Sequence, residues 1–206
     1  MVIARPARRL IMDSKKIILI TGGVRSGKSR YALTLARRIA GVKIFLATAQ
    51  PFDDGLRQRV QKHKAERGAE FRTVEEPVRL GKALSAIGTA PAVIVIDCLT
   101  VWVNNLFHEM KGNVTAIQEQ KDSFVRALAD CPSTVIIVTN EVGMGIIPEN
   151  ALARDFLDSL GILNQQVGQL SDEVILMVSG IPSWVKGKGI SEGGVPLCQD
   201  VSITRL

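Results

Sequence analysis

Aromatic residues are scarce in this 206-residue chain, at 4% against 46% hydrophobic residues in all. Val, Ile, Leu and Ala must therefore fill the core, which suits a parallel sheet covered on both faces. Only three cysteines occur, Cys98, Cys131 and Cys198, with no CxxC pair and no zinc-ligand spacing. That excludes a disulfide scaffold and a structural zinc site, and leaves reduced thiols as the expectation. No apolar run reaches the roughly 18 residues of a membrane span, and the amino-terminal stretch lacks the apolar core of a secretory signal. A cytoplasmic protein is expected. The net charge of +6 is unevenly spread: Arg5, Arg8, Arg9, Lys15 and Lys16 against Asp13 give the first 16 residues +4, leaving +2 for the other 190. With no basic stripe carrying interleaved aromatics, no nucleic-acid partner is expected.

Short apolar, β-branched runs alternate with amphipathic stretches. Residues 16–21, 43–47, 92–97, 134–139 and 173–178 read as strands apolar on both faces, and 71–75 as a shorter one. Helical patterns fall at about 28–40, 54–67, 77–88, 99–110, 115–129 and 149–170. This alternation predicts an α/β fold of the P-loop NTPase type, a mostly parallel doubly wound sheet flanked by helices, with ligands at the carboxyl ends of the strands. Residues 1–15 are expected as a disordered basic tail and 16–206 as a single domain. The Gly-rich stretch at 186–194 reads as a mobile loop.

The strand at 16–21 leads into "GGVRSGKSRYA". Gly22, Gly23, Val24, Arg25, Ser26, Gly27, Lys28 and Ser29 match G-x-x-x-x-G-K-[ST] in full, between a strand and a helix as the motif requires. The glycines let backbone N–H groups face phosphate oxygens. Lys28 carries charge to the β and γ phosphates, and Ser29 offers a hydroxyl to Mg²⁺. The helix starting near Lys28 adds its dipole. Asp97 ends "VIVID", where P-loop proteins hold the metal or its water shell. Glu141 follows "VIIVTN" as a second strand-end carboxylate; polarising a nucleophile and capping a turn both fit it.

The segment "FDDGLRQRVQKHKAERGAE" is unusual. Asp53 or Asp54 can cap a helix and Gly68 can end it, yet only Leu56 and Val60 form an apolar stripe. Arg57, Arg59, Lys62, Lys64 and Arg67 face only Glu66. Arg59, His63 and Arg67 share a face at i, i+4 and i+8. Cations near a histidine favour its neutral form, and a neutral imidazole can form a covalent bond to phosphorus. Two readings stand on the residues alone: a nucleophile among phosphate-binding guanidiniums, and a solvated basic helix. His108, the other histidine, reads as a helix-surface residue.

Five stretches occur in one order: "TGGVRSGKSRYA", "ATAQPFDDGLRQRVQKHKAER", "RTVEEP", "VIVIDCLTVWVNNL" and "VTNEVGMGIIPENALARDFLDSLGILNQQV". Together they resemble the bifunctional adenosylcobinamide kinase/adenosylcobinamide-phosphate guanylyltransferase family of cobalamin biosynthesis, from about Ile17 to the carboxyl terminus. The resemblance implies phosphorylation of the aminopropanol hydroxyl of adenosylcobinamide with ATP or GTP. GMP transfer from GTP through a guanylyl-histidine then gives adenosylcobinamide-GDP and pyrophosphate. It implies His63 as the guanylylated residue, and nucleotide contacts at Gly22 to Ser29, Ala47, Thr48, Ala49, Lys64, Ala65, Glu66, Arg67, Glu75 and Asp97. Ser29 and Asp97 would hold the metal. Glu75 could accept hydrogen bonds from the guanine N1–H and 2-amino group. Where some relatives carry a histidine before the nucleophile, this chain has Lys62. The resemblance also implies a corrinoid substrate and a homotrimer, with the His63 helix moving toward the P-loop when GTP binds. No pattern names the corrinoid pocket; the trimer interface and loop 143–150 are the candidates. A kinase-only P-loop enzyme and a recombinase-like ATPase stimulated by nucleic acid are the rival readings.

Overall fold

A computed structural model of the chain describes residues 15–50, 68–87 and 91–187. The expected helix over 54–67, with His63, lies outside them, as do the tail to residue 14 and residues 188–194 of the expected loop.

The described elements follow one another as β1 (Ile17–Gly22), α1 (Lys28–Arg38), β2 (Lys43–Ala47), β3 (Phe71–Glu75), α2 (Leu80–Ile87), β4 (Val93–Asp97) and α3 (Leu99–Glu109). Then come α4 (Val114–Asp130), β5 (Thr134–Val138), α5 (Ala151–Leu170), β6 (Glu173–Val178) and β7 (Ile181–Lys186). The strands form one sheet in the order β3-β2-β4-β5-β1-β6-β7. All pairings are parallel except β6 with β7.

Alternation along each strand divides the core. In β1, Ile17 and Leu19 face one layer and Ile18 and Ile20 the other. The first layer holds α2 to α5 through Leu84, Trp102, Phe124 and Leu163; the second holds α1 through Ala32, Leu33 and Ala36. The Trp102 and Phe124 rings meet edge-on at 5.2 Å between centroids, and the indole N–H donates to Val78 O at 2.8 Å. The sheet is therefore doubly wound, and its central strands are buried throughout, as their apolar runs require. Helices α4 and α5 begin at Asn113 and Asn150, whose side chains accept from Ala116 N and Ala153 N at 3.1 Å each.

The sequence reading has no counterpart for β7. Its six residues start with Ile181–Pro182 and alternate only weakly, which hides it from periodicity. An edge strand tolerates proline because one side of its backbone needs no partner. The signal lies in the turn instead: Val178 pairs with Ile181, so Ser179 and Gly180 form a two-residue loop with φ of 51° and 86°. Two positive φ values in such a loop match the twist of the flanking strands.

Candidate active site

The parallel strands all end on one side of the sheet, and their register draws those ends into a row. Ala47 pairs with both Glu75 and Asp97, Asp97 with Val138, and Val138 with Ile20. The P-loop begins two residues beyond Ile20. At about 4.8 Å per strand, Asp97 lies about 10 Å across the sheet from β1, and Glu75 about 19 Å.

Two glycines shape the loop. Gly22 has φ of 141°, and a Cβ there would press into the Met177 carbonyl oxygen on β6, well inside van der Waals contact. Gly27 has φ of 95° and stands at the N-cap of α1, where no side chain could adopt that angle without strain. Ser26 N closes the turn onto Gly23 O at 3.3 Å. From outside, Gly180 N donates to Ser26 O at 3.0 Å, so the β6–β7 hairpin turn buttresses the phosphate loop. Sequence reasoning missed this support, although "SG" between two apolar runs was a legible hairpin signal. Val24 and Arg25 are exposed at the loop tip and Ser29 is half-buried.

Lys28 lies within the loop's curve, 7% exposed, with Nζ donating to Gly23 O at 2.6 Å and to Ser26 Oγ at 3.4 Å. Burial holds its ammonium below the ordinary lysine value, while the Asp97 carboxylate acts in the opposite direction. The cradle lysine and the strand-end aspartate therefore sense each other's charge, as a phosphate and metal site needs.

Thr48 is fully buried. Its Oγ1 donates to Cys98 O at 2.9 Å and accepts from Cys98 N at 2.8 Å. Its amide donates to Asp97 O at 3.2 Å, and its carbonyl accepts from Asn105 Nδ2 at 2.7 Å. All its polar groups are thus committed within the fold, binding the end of β2 to the turn that carries Asp97. Ala47 is buried and Ala49 half-buried. Glu75 is exposed at the carboxyl end of β3. The Cys98 residue is half-buried, yet burial and the Asp97 charge push its thiol up to about 12, which leaves it protonated and inert at neutral pH. His108 is exposed on α3, as expected.

Glu141 lies against the phosphate loop. Thr21 Oγ1 donates to its Oε1 at 2.6 Å, and its amide donates to Gly22 O at 3.3 Å. Just beyond, the loop exposes Met144, Ile146 and Ile147, at 81%, 98% and 76%. A cavity of about 170 Å³, lined by Tyr31, Leu35, Arg38, Glu173 and Trp184 among others, opens between α1, β6 and β7. It reaches Glu173 at the amino end of β6, the sheet end opposite the cradle. His63, Lys64, Ala65, Glu66 and Arg67 lie outside the described residues.

Residues 18–185 match the profile of the cobinamide kinase / cobinamide phosphate guanyltransferase family. The chain is 39% identical over 181 residues to the bifunctional adenosylcobalamin biosynthesis protein CobU of Escherichia coli K12, covering 82% of this chain and 99% of that protein. It is 40% identical over 181 residues to CobU of Salmonella typhimurium, with the same coverage. Against CobP of Pseudomonas aeruginosa it is 35% identical over 170 residues, covering 82% of this chain and 97% of that protein. Among solved structures, the type III secretion ATPase EscN of enteropathogenic E. coli is similar at a TM-score of 0.55 and 12% identity. That match covers 80% of this chain and 43% of EscN, and bears on the fold alone.

Proposed function

The chain belongs to the cobinamide kinase / cobinamide phosphate guanyltransferase family, and from that premise we propose that one phosphate cradle serves both reactions, with His63 carrying GMP in the second. In the kinase step the aminopropanol hydroxyl of adenosylcobinamide attacks the γ phosphorus of ATP or GTP, and the nucleoside diphosphate leaves. In the transferase step the neutral imidazole of His63 attacks the α phosphorus of GTP. The bond to the β phosphate breaks and pyrophosphate leaves. A phosphate oxygen of adenosylcobinamide phosphate then displaces His63, giving adenosylcobinamide-GDP and restoring the free imidazole.

The observation that carries this reading is the buried Lys28 at the carboxyl end of the sheet, within electrostatic reach of Asp97. Either step develops negative charge on phosphate oxygens, and backbone N–H groups, Lys28 and the α1 dipole stabilise it wherever attack falls. The row of strand ends supports a nucleotide lying across the sheet, phosphates at β1 and guanine toward Glu75 on β3. Lys64 and Arg67, close to His63 in sequence, supply further cations for the transferred phosphate.

Mg²⁺ fits the oxygen donors present, the Ser29 hydroxyl and the Asp97 carboxylate. Among the described residues no three His, Cys, Asp or Glu side chains gather into a cage, and Mg²⁺ characteristically takes its other ligands from phosphate and water. Bound there, it would neutralise phosphate charge in both steps. The exposed apolar loop at 144–147 supports a place for the corrinoid beside the phosphate end of the site. No helix among the described residues is long and apolar enough to cross a membrane. In this reading the enzyme is a cytoplasmic homotrimer, an assembly that light scattering would test.

The deciding experiment mixes purified protein with Mg²⁺ and α-labelled GTP. A GMP adduct, acid-labile and base-stable, should form on the peptide containing His63 and vanish in His63→Ala. An adduct surviving in that variant would remove His63 from its role.

A further inference from the structure

The proposed kinase step needs a group to receive the hydroxyl proton of the acceptor, and neither Lys28 nor a metal-bound Asp97 is suited to it. Lys28 is a cation facing phosphate, and Asp97 would be neutralised by its metal. Glu141 belongs to neither role. We infer that the Glu141 carboxylate is the general base of phosphoryl transfer to cobinamide, held in place by the Thr21 hydroxyl. The inference rests on the family-level reading above.

The position follows from the sheet order. Strand β5 lies between β1, which carries the phosphate loop, and β4, which carries Asp97. The residues leaving β5 therefore emerge between cradle and metal carboxylate. The segment is fixed on three sides. Thr139 N donates to Ile20 O at 3.0 Å, Asn140 N donates to Thr100 Oγ1 at 2.9 Å, and Asn140 O accepts from Asn164 Nδ2 at 3.1 Å. Glu141 N then donates to Gly22 O.

The side chain is aimed as well as anchored. Thr21, 5% exposed, donates its hydroxyl to Oε1 at 2.6 Å. A carboxylate has further lone pairs, and the residue is only half-buried, so the remaining oxygen capacity is open to an incoming hydroxyl. Lys28 Nζ, which serves the β and γ phosphates in such loops, donates to Gly23 O, the residue after the one that Glu141 grips. Glu141 thus stands at the γ end of the cradle. The hydroxyl oxygen forms its bond to the γ phosphorus, its proton passes to Glu141, and the bond from that phosphorus to the β,γ-bridging oxygen breaks. Attack by the neutral His63 imidazole on the α phosphorus releases no hydroxyl proton, so guanylylation does not need this base.

The test compares full-length wild type with Glu141→Gln and Thr21→Val. The Gln amide keeps an oxygen for the Thr21 hydroxyl and cannot take a proton. Kinase kcat with cobinamide should fall about 10²–10⁴-fold in Glu141→Gln, the range for losing a general base. Its nucleotide KM should stay within about twofold, and the GMP adduct on His63 should form as in wild type. Thr21→Val, which keeps the carboxylate but frees it, should lose about tenfold in kinase kcat alone. Kinase kcat within about threefold of wild type in Glu141→Gln would overturn the inference, and so would equal loss of kinase activity and GMP adduct in both variants. Wild-type protein without kinase activity would instead overturn the family-level reading.

Discussion

Replacing Thr48 by Val tests how the fold holds Asp97. The substitution keeps shape and β propensity at a fully buried position and deletes one hydroxyl that bonds Cys98 in both directions, at 2.9 and 2.8 Å. The two losses are unequal. Cys98 O retains a bond from Trp102 N at 3.1 Å, so its share is the net worth of one hydrogen bond, about 0.5–1.5 kcal/mol. Cys98 N loses its hydroxyl acceptor, and an orphaned donor costs about 1–3 kcal/mol. The sum is about 1.5–4.5 kcal/mol, a large part of a typical stability of about 5–15 kcal/mol. In a chain of this size each kcal/mol moves the melting temperature by about 2–4 °C, so a drop on the order of 10 °C is expected. Thr48→Ser keeps both bonds and loses a methyl, about 1 kcal/mol. Urea and thermal unfolding of the three proteins should therefore rank wild type, Ser, Val, with nucleotide KM raised most in Val because Asp97 is held by the same knot. A Val variant as stable as the Ser variant would refute the reasoning.

Gly22→Ala drives a Cβ into the Met177 carbonyl at φ of 141°. It should cost about 1–3 kcal/mol of strain and abolish the thermal stabilisation that Mg²⁺–GTP gives wild type, read by melting with and without nucleotide. Cys98 predicts an alkaline effect. Its thiol is held up to about 12 in the fold by burial and by Asp97, against 9.0 ordinarily. The unfolded chain therefore loses that proton first, and stability falls as pH rises from about 9 toward about 12. Urea midpoints of wild type should drop more steeply over that window than those of Cys98→Ala; parallel curves would contradict the assignment.

The phosphate cradle was legible because its requirements are local. Glycines at 22 and 27, a lysine and a hydroxyl in a fixed frame between strand and helix specify backbone angles and charges within eight residues. Asp97 was legible as the first carboxylate past an apolar run. Glu75 and Asp97 end the two strands that flank β2, each paired with Ala47. Thr48 was read from the family resemblance as a nucleotide contact; that its hydroxyl bonds the Cys98 backbone in both directions was not legible, because burial of a small polar residue leaves no trace in its own sequence. The strand β7 went unread because proline and weak alternation mask an edge strand.

By itself, the order of residues determined the class of fold, the cradle, and through its resemblance the family and its reactions, because periodicity, φ preferences and motif spacing act over short stretches. Only tertiary structure decided that β5 inserts between β1 and β4, that Ser179–Gly180 props the phosphate loop, and that Glu141 meets Thr21 across 120 residues. Strands as alike as "VIVID" and "TVIIV" carry no label for their neighbours. Their order is settled by packing all the helices over both faces at once, and that sum is not local.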